Sequence, residues 1–281
     1  MTEEITAPAT QVTRSWGARR GRRAIWWTLS AYHGVMVLFL AGPLLIVIMA
    51  SFTDAAILTF PPRRLSLRWY TTLGEYEQFI EAFWLSLGLA LLTAAGAVVT
   101  GTMAAFAIVR HRFRGRDAVH AVLISPLLLP GVVTGIAMLQ FFSMAGLGAS
   151  FTRLWLAHMV ITIPYVVRIV AAVLHGFDRT LEEAALILGA NRLQTVLRIT
   201  LPGIRSGLIA GGIFAFIASF DNVVISVFLT SPTLVPLPIR IYNFIESSAK
   251  PVVASISTIQ MVVIAALLLV TDRLLGFSKH I

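Results

Sequence analysis

The chain has 281 residues, 57% of them hydrophobic and 12% charged, with a formal net charge of +9 and no cysteine. Soluble domains carry about 25% charged residues, so the composition excludes an ordinary soluble domain and points to a membrane protein. The absence of cysteine excludes a disulfide framework and a thiolate metal site. The positive charge does not indicate nucleic acid as a partner, because the basic residues flank apolar runs.

Residues 1–23 read as a polar, basic N-terminal tail, disordered over residues 1–18. Six apolar runs follow, each long enough for the roughly 17–25 residues that a spanning helix needs. They cover about Ile25–Ser51, Phe83–Val109, Ala118–Ala145, Leu154–Leu174, Leu208–Leu229 and Val252–Val270. Arg19-Arg20 before the first run resembles an export signal. The run is too long for a signal core, however, and lacks a small-residue cleavage site, so it is read as the first span. His33 within it reads as a satisfied polar group near an interface. The second run is rich in small residues (Gly88, Ala94, Ala95, Gly96, Gly101, Ala104), which let helices approach closely. Pro126, Pro130 and Pro164 in the third and fourth runs remove backbone donors and predict kinks.

With the N-terminus inside, 16 of the 22 Lys and Arg residues fall in inside segments. The positive-inside rule then places both termini in the cytoplasm. Trp69, Tyr70, Tyr76, Phe79 and Trp84 cluster near the outer end of the second span, as a membrane-interface belt would. The outer loop over about Ser51–Ile80 contains Pro61-Pro62, which argues against regular structure there.

Between spans four and five the apolar pattern breaks off into TLEEAALILGANRLQTVLRITLPGI, residues 180–204. Thr180 with Glu183 fits a capping box, and Glu182 and Glu183 suit the positive end of a helix dipole. Gly189 fits a left-handed helix stop. Asn191, with Gln194 three residues on, fits a second N-cap, and Pro202 prevents a regular continuation into span five. The expectation is two short helices bent at Gly189 on the cytoplasmic side. Short helices are marginal in water, so Ala184, Ala185, Leu188 and Leu193 need a surface to pack on: lipid, the protein's own helix ends, or a partner.

The same stretch holds Glu183-Ala184-Ala185, Gly189 four residues on, and then Ile199-x-Leu201-Pro202. This resembles the EAA signature of ABC importer permeases at every defining position. The resemblance extends to the six spans, with the signature between the fourth and fifth. It implies an all-α, polytopic type I importer permease fold with cytoplasmic N- and C-termini. Residues 24–281 would form the permease domain and residues 178–204 the coupling loop. It implies a bacterial inner-membrane location and three partners besides the lipid bilayer. These are an ABC ATPase dimer, a second permease (homologous or a copy of this chain) and an extracytoplasmic substrate-binding protein. Glu183, Ala184 and Ala185 would dock on the ATPase, Gly189 would make the turn, and Leu201-Pro202 would fix the join to span five. ATP and Mg would sit on the ATPase, and this chain would bind no cofactor itself.

The run from Ser219 further resembles the second membrane subunit of spermidine/putrescine permeases. The matching residues are Ser219, Asp221, Thr230, Pro232, Leu237, Pro238, Ile241 and Tyr242, with Asn222 where a second acid is frequent. Asp221 is the one acidic residue placed in a predicted span, and an intramembrane carboxylate is by default a functional-site hypothesis. A cationic amine would suit a carboxylate and aromatic faces, so Asp221, Asn222, Phe220, Tyr165 and Tyr242 are candidates to line the path. Opines, iron, thiosulfate and aminophosphonates are alternative solutes for permeases of this kind. An ion-coupled secondary transporter is the rival class, but would more often carry several buried ionisable groups and inverted repeats. No phosphate-loop motif, zinc motif or nucleophile–base motif occurs, so no catalytic residue and no metal ligand is assigned.

Overall fold

A computed structural model describes residues 16–248 and 250–275. Among these residues the protein is helical, with two isolated β-bridges and no strand. The first expected span lies in α1 (Trp16–Ser51). A segment with little regular structure leads through α2 (Arg68–Thr71) and a 3₁₀ turn into α3 (Glu77–Arg110). Next come α4 (Arg116–Leu128), α5 (Gly131–Met144) and α6 (Phe151–Gly176). The cytoplasmic loop of the sequence reading contains α7 (Arg179–Ile187), α8 (Arg192–Thr195), a π-helical turn (Val196–Thr200) and α9 (Leu201–Gly203). Then follow α10 (Arg205–Phe220), α11 (Ser226–Leu229), α12 (Leu237–Ser247) and α13 (Val252–Leu275). The expected disordered tail lies outside the described residues up to position 15, and Trp16–Ala18 belong to α1.

Among the described residues four helices are long and apolar enough to cross a bilayer, and six spans result if each of two bent pairs counts as one. The third expected span is not one helix: α4 and α5 meet at 110°. Leu129 is extended and Pro130 caps α5, because a residue before proline is pushed out of the helical region. Pro126 lies inside α4, and Pro164 is buried within an unbroken α6. The fifth expected span is also corrected. It stops at Phe220 rather than running to Leu229, and its N-terminal end turns by 72° into the segment Arg192–Gly203.

The core is a three-helix cluster of α3, α6 and α10. Ala97 and Ala105 on α3 meet Met159, Val166, Val170 and Leu174 on α6 and Ala215 on α10. Small residues set the spacing: a β-carbon at Gly101 would lie 2.8 Å from Val166 Cβ. Gly207 and Gly211, a G-x-x-x-G pair on α10, face Val173 and Val166, the close approach such spacing permits. α1 packs on α13, where the Ser255 hydroxyl donates to the Ser51 carbonyl at 3.3 Å. The rest of α1 exposes large apolar side chains such as Leu38, Phe39 and Leu40, as a lipid-facing helix does. His33 is locally satisfied, its Nδ1 2.7 Å from the Leu29 carbonyl oxygen.

The expected aromatic belt is mostly a protein core. Trp69 and Phe79 are buried against Leu237, Val252 and Ile256, and Tyr70 is hydrogen-bonded to Ser51 Oγ at 2.6 Å. Only Trp84 of the five stands well exposed. Aromatic clustering alone does not distinguish a belt from a helix-packing seam.

Candidate coupling site and permeation path

The expected coupling loop, residues 178–204, is closed at its base by packing. Phe177, directly after α6, lies so tightly on Gly203 that a β-carbon there would overlap its ring. Ile204, next in the chain, is fully buried in the same cluster. The glycine of Leu-Pro-Gly is therefore a packing requirement that the sequence reading missed.

α7 does not start as expected. Its N-cap is Asp178, whose Oδ1 accepts from the Thr180 backbone N–H at 2.9 Å. Thr180 already lies inside the helix, so the expected Thr180–Glu183 capping box does not form. Asp178 offers a charged acceptor at the positive helix end, which outcompetes a hydroxyl two residues later. The Thr180 backbone and side-chain donors hold the Asp178 carboxyl below the usual carboxylate range.

The far end of α7 forms as read. Gly189 has φ +91°. Its N–H donates to Leu186, and the Ala190 N–H donates to Ala185. This double closure around a left-handed glycine is a Schellman stop. Asn191 and Gln194 then make the expected reciprocal cap, with bonds of 2.8 and 3.0 Å. The π turn that follows bonds Leu201 N–H to the Val196 carbonyl, which carries the backbone past Pro202 before it turns at Ile204.

The bent pair has two different faces. Glu183 and Ala184 are exposed, Ala185 is half-buried, and Leu201 packs inward while Pro202 is exposed. Ile187, Leu188 and Leu193 are 85%, 88% and 67% exposed. The leucines expected to seek a surface thus find none within this chain. On the inner face, Glu182 Oε1 accepts from Arg110 Nη2 and from Thr200 Oγ1, both at 3.0 Å.

The candidate path residues separate. Asp221 caps the end of α10 with an exposed side chain, and its Oδ1 accepts from Gln260 Nε2 of α13 at 3.0 Å. It sits at a helix break, not within a continuous span. Asn222 Oδ1 accepts from the N–H groups of Ile225 and Ser226, so its role in the chain is to start α11. Phe220 is fully buried, stacked on Phe216 at 5.3 Å and edge-on to Phe83. Its ring therefore has no free face in this conformation. Tyr165 is half-buried on α6 and Tyr242 is exposed on α12, where the Glu246 carboxylate raises its phenol pKa. Among the described residues no hydrogen bond or ring contact joins either tyrosine to Asp221.

The break at 221–225 is held by a residue the sequence reading passed over. His158 on α6 is fully buried, with Nδ1 2.8 Å from Ser219 Oγ and Nε2 3.1 Å from Ser226 Oγ. One imidazole thus bridges the last turn of α10 and the first turn of α11. Buried Arg153 donates to the Leu229 carbonyl at 3.0 Å and secures the end of α11. A lone histidine in an apolar run carries no spacing signal, so only the three-dimensional arrangement reveals this clamp.

Residues 97–278 match the family described as the binding-protein-dependent transport system inner membrane component. The chain belongs to that family. It is 30% identical over 252 residues to the spermidine/putrescine transport system permease protein PotC of Haemophilus influenzae, covering 89% of this chain and 97% of that protein. The putrescine transport system permease protein PotI of Escherichia coli is 33% identical over 228 residues, or 79% of this chain and 81% of PotI. Among solved structures, a bacterial alginate ABC transporter in complex with an alginate pentasaccharide-bound periplasmic protein aligns with TM-score 0.70 at 18% identity. That alignment covers 92% of this chain and 96% of the transporter chain. The inward-facing MetNI methionine ABC transporter aligns with TM-score 0.58 at 16% identity, over 70% of this chain and 94% of its own. The protein is therefore a multi-pass membrane permease of the type I ABC importer class, with a helical fold shared by those transporters. It is a transport subunit by family.

Proposed function

We propose that this permease forms one half of the translocation path of an ATP-driven importer in the bacterial cytoplasmic membrane, with polyamines such as spermidine or putrescine as its solutes. In this reading residues 1–23 and the C-terminus are cytoplasmic, and residues 24–281 are the permease domain. An ATPase dimer binds the bent pair α7–α8, and a homologous permease or a second copy completes the path. A binding protein delivers the solute from outside, while ATP and Mg act on the ATPase chains.

The observation that carries the ATP-driven part is the geometry at Gly189. A Schellman stop and a reciprocal cap hold two short helices at a fixed bend, with Ile187, Leu188 and Leu193 facing outward. Apolar residues held rigidly in water fit a partner groove. The polyamine part rests on the relatives named above and on Asp221. Its exposed carboxylate stands at the C-terminal, negative end of α10, and both the charge and the helix dipole favour a cation. Asn222, already occupied as a cap, adds no charge.

The test is reconstitution of the chain with its ATPase, second permease and binding protein in proteoliposomes, followed by labelled spermidine uptake. Uptake is expected only with ATP, ATPase and binding protein together. Uptake in vesicles lacking the ATPase would overturn the ATP-driven reading. ATP-dependent uptake of another solute with none of spermidine or putrescine would overturn the polyamine assignment alone.

A further inference from the structure

We propose that Glu182 and its neighbour Glu183 divide the work of the loop, with Glu183 facing the motor and Glu182 carrying its movement to the helix core through Arg110. The inference rests on the ATP-driven reading above and deepens it. The two glutamates are adjacent on α7, about 100° apart around the helix, and their surroundings are opposite. Glu183 is exposed. The Glu182 side chain retains 17% of its exposure and that of Arg110 10%.

Three segments meet at one oxygen. Glu182 Oε1 accepts from Arg110 Nη2 and from Thr200 Oγ1, both at 3.0 Å. Arg110 is the last residue of α3, a member of the three-helix core. Thr200 is fully buried in the π turn leading to α10. Glu182 itself belongs to the first turn of α7. One carboxylate thus ties α7 to the end of core helix α3, 72 residues away in sequence, and to the π turn that leads into α10. The polarity is favourable twice over. Arginine sits at the negative end of α3 and glutamate at the positive end of α7, so two opposed dipole ends are joined by the pair of charges that suits them.

Among the described residues this is the only ion pair between different elements; the other joins neighbours Arg116 and Asp117 at the surface. A largely buried, charge-assisted contact is short and directional. It moves its partner when it moves, whereas a solvated chain linkage would bend. A loop anchored at its base only by Phe177 on Gly203 would shift α6 and α10. The Glu182–Arg110 contact adds α3, so the whole core follows.

The test uses the full reconstituted complex and reads two quantities for each variant: labelled spermidine imported per ATP hydrolysed, and ATPase retained on purification through the permease. Glu182→Gln and Arg110→Gln are each expected to lower solute per ATP by about tenfold while keeping the ATPase bound. The double variant is expected to be no worse than either single one. The exchange Arg110→Glu with Glu182→Arg is expected to recover only part of the ratio, because the exchanged charges oppose both helix dipoles; a merely structural role would instead lower ATPase retention together with the ratio. Glu183→Gln is expected instead to lower ATPase retention.

Two outcomes would overturn the proposal. One is a solute-per-ATP ratio for Glu182→Gln and Arg110→Gln within about twofold of the parent. The other is ATPase loss from Glu182→Gln as large as from Glu183→Gln. A parent complex that imports solute without hydrolysing ATP would fail the ATP-driven reading itself, and is recognised separately because it requires no variant.

Discussion

Two helix breaks define this permease, and they are built in opposite ways. The break at Gly189 lies in the open, is closed by local backbone geometry and leaves its apolar side chains uncovered. The break at 221–225 starts α11 with the local cap of Asn222 but is braced by distant residues: His158 of α6 holds Ser219 and Ser226, and Gln260 of α13 holds Asp221. A locally closed bend can be carried as a rigid unit by whatever binds it. A bend closed by its neighbours reports their positions. The first suits a lever, the second a site whose shape changes as the helices shift.

The largest expected effect falls on the interior break. His158→Leu removes the shared partner of Ser219 and Ser226 and leaves two buried hydroxyls without it, at a cost of about 2–4 kcal/mol. A lower melting temperature of the purified permease in detergent checks this. An unchanged melting temperature would remove the distinction between the two breaks. Next in size is Gly189→Ala, whose left-handed backbone disfavours a β-carbon by about 1–2 kcal/mol. Here the expected change is local: faster hydrogen exchange at residues 186–191, with the core helices unaffected. Asn191→Ala should cost about 1 kcal/mol in the same loop by loss of the reciprocal cap, measured the same way. Exchange that rises throughout the bundle in either variant would mean that the break at Gly189 is not locally closed.

Asp221→Asn sharpens the comparison from the functional side. It keeps a group able to accept from Gln260 and removes the charge, so spermidine uptake should fall while expression and melting temperature hold. Unchanged uptake would return Asp221 to a purely structural role. The smallest effect is expected from acid. The Asp178 carboxyl is held below its ordinary pKa by Thr180, so its cap on α7 is fully present above the ordinary carboxylate pKa and is lost as pH falls through the lowered one. Protection of the α7 amides should weaken only at such low pH, and Asp178→Asn should remove that dependence.

The contrast also explains what the sequence made legible. Gly189, Asn191, Gln194 and Pro202 act on their own neighbourhood, so their spacing alone predicts the bent pair. The small residues of α3 and the G-x-x-x-G of α10 likewise announce close packing before the partner helix is known. By contrast, Asp178 displaces Thr180 as the cap through a competition between adjacent acceptors that a motif does not rank. Phe220 reads as a free aromatic face until Phe216 and Phe83 cover it. The signature singles out Glu183, but nothing in the sequence gives Glu182 a partner until the packing of α3 brings Arg110 close. The same holds for His158, whose two serines lie 61 and 68 residues away.

The central claim, that a rigid bend at Gly189 drives solute movement, is tested most directly by Gly189→Pro in the reconstituted complex. Proline cannot adopt φ +91° and removes the N–H that bonds Leu186,. With ATP hydrolysis and spermidine uptake followed in the same vesicles, the variant is predicted to insert normally and to hydrolyse ATP without importing solute. Full uptake per ATP in Gly189→Pro would contradict the claim.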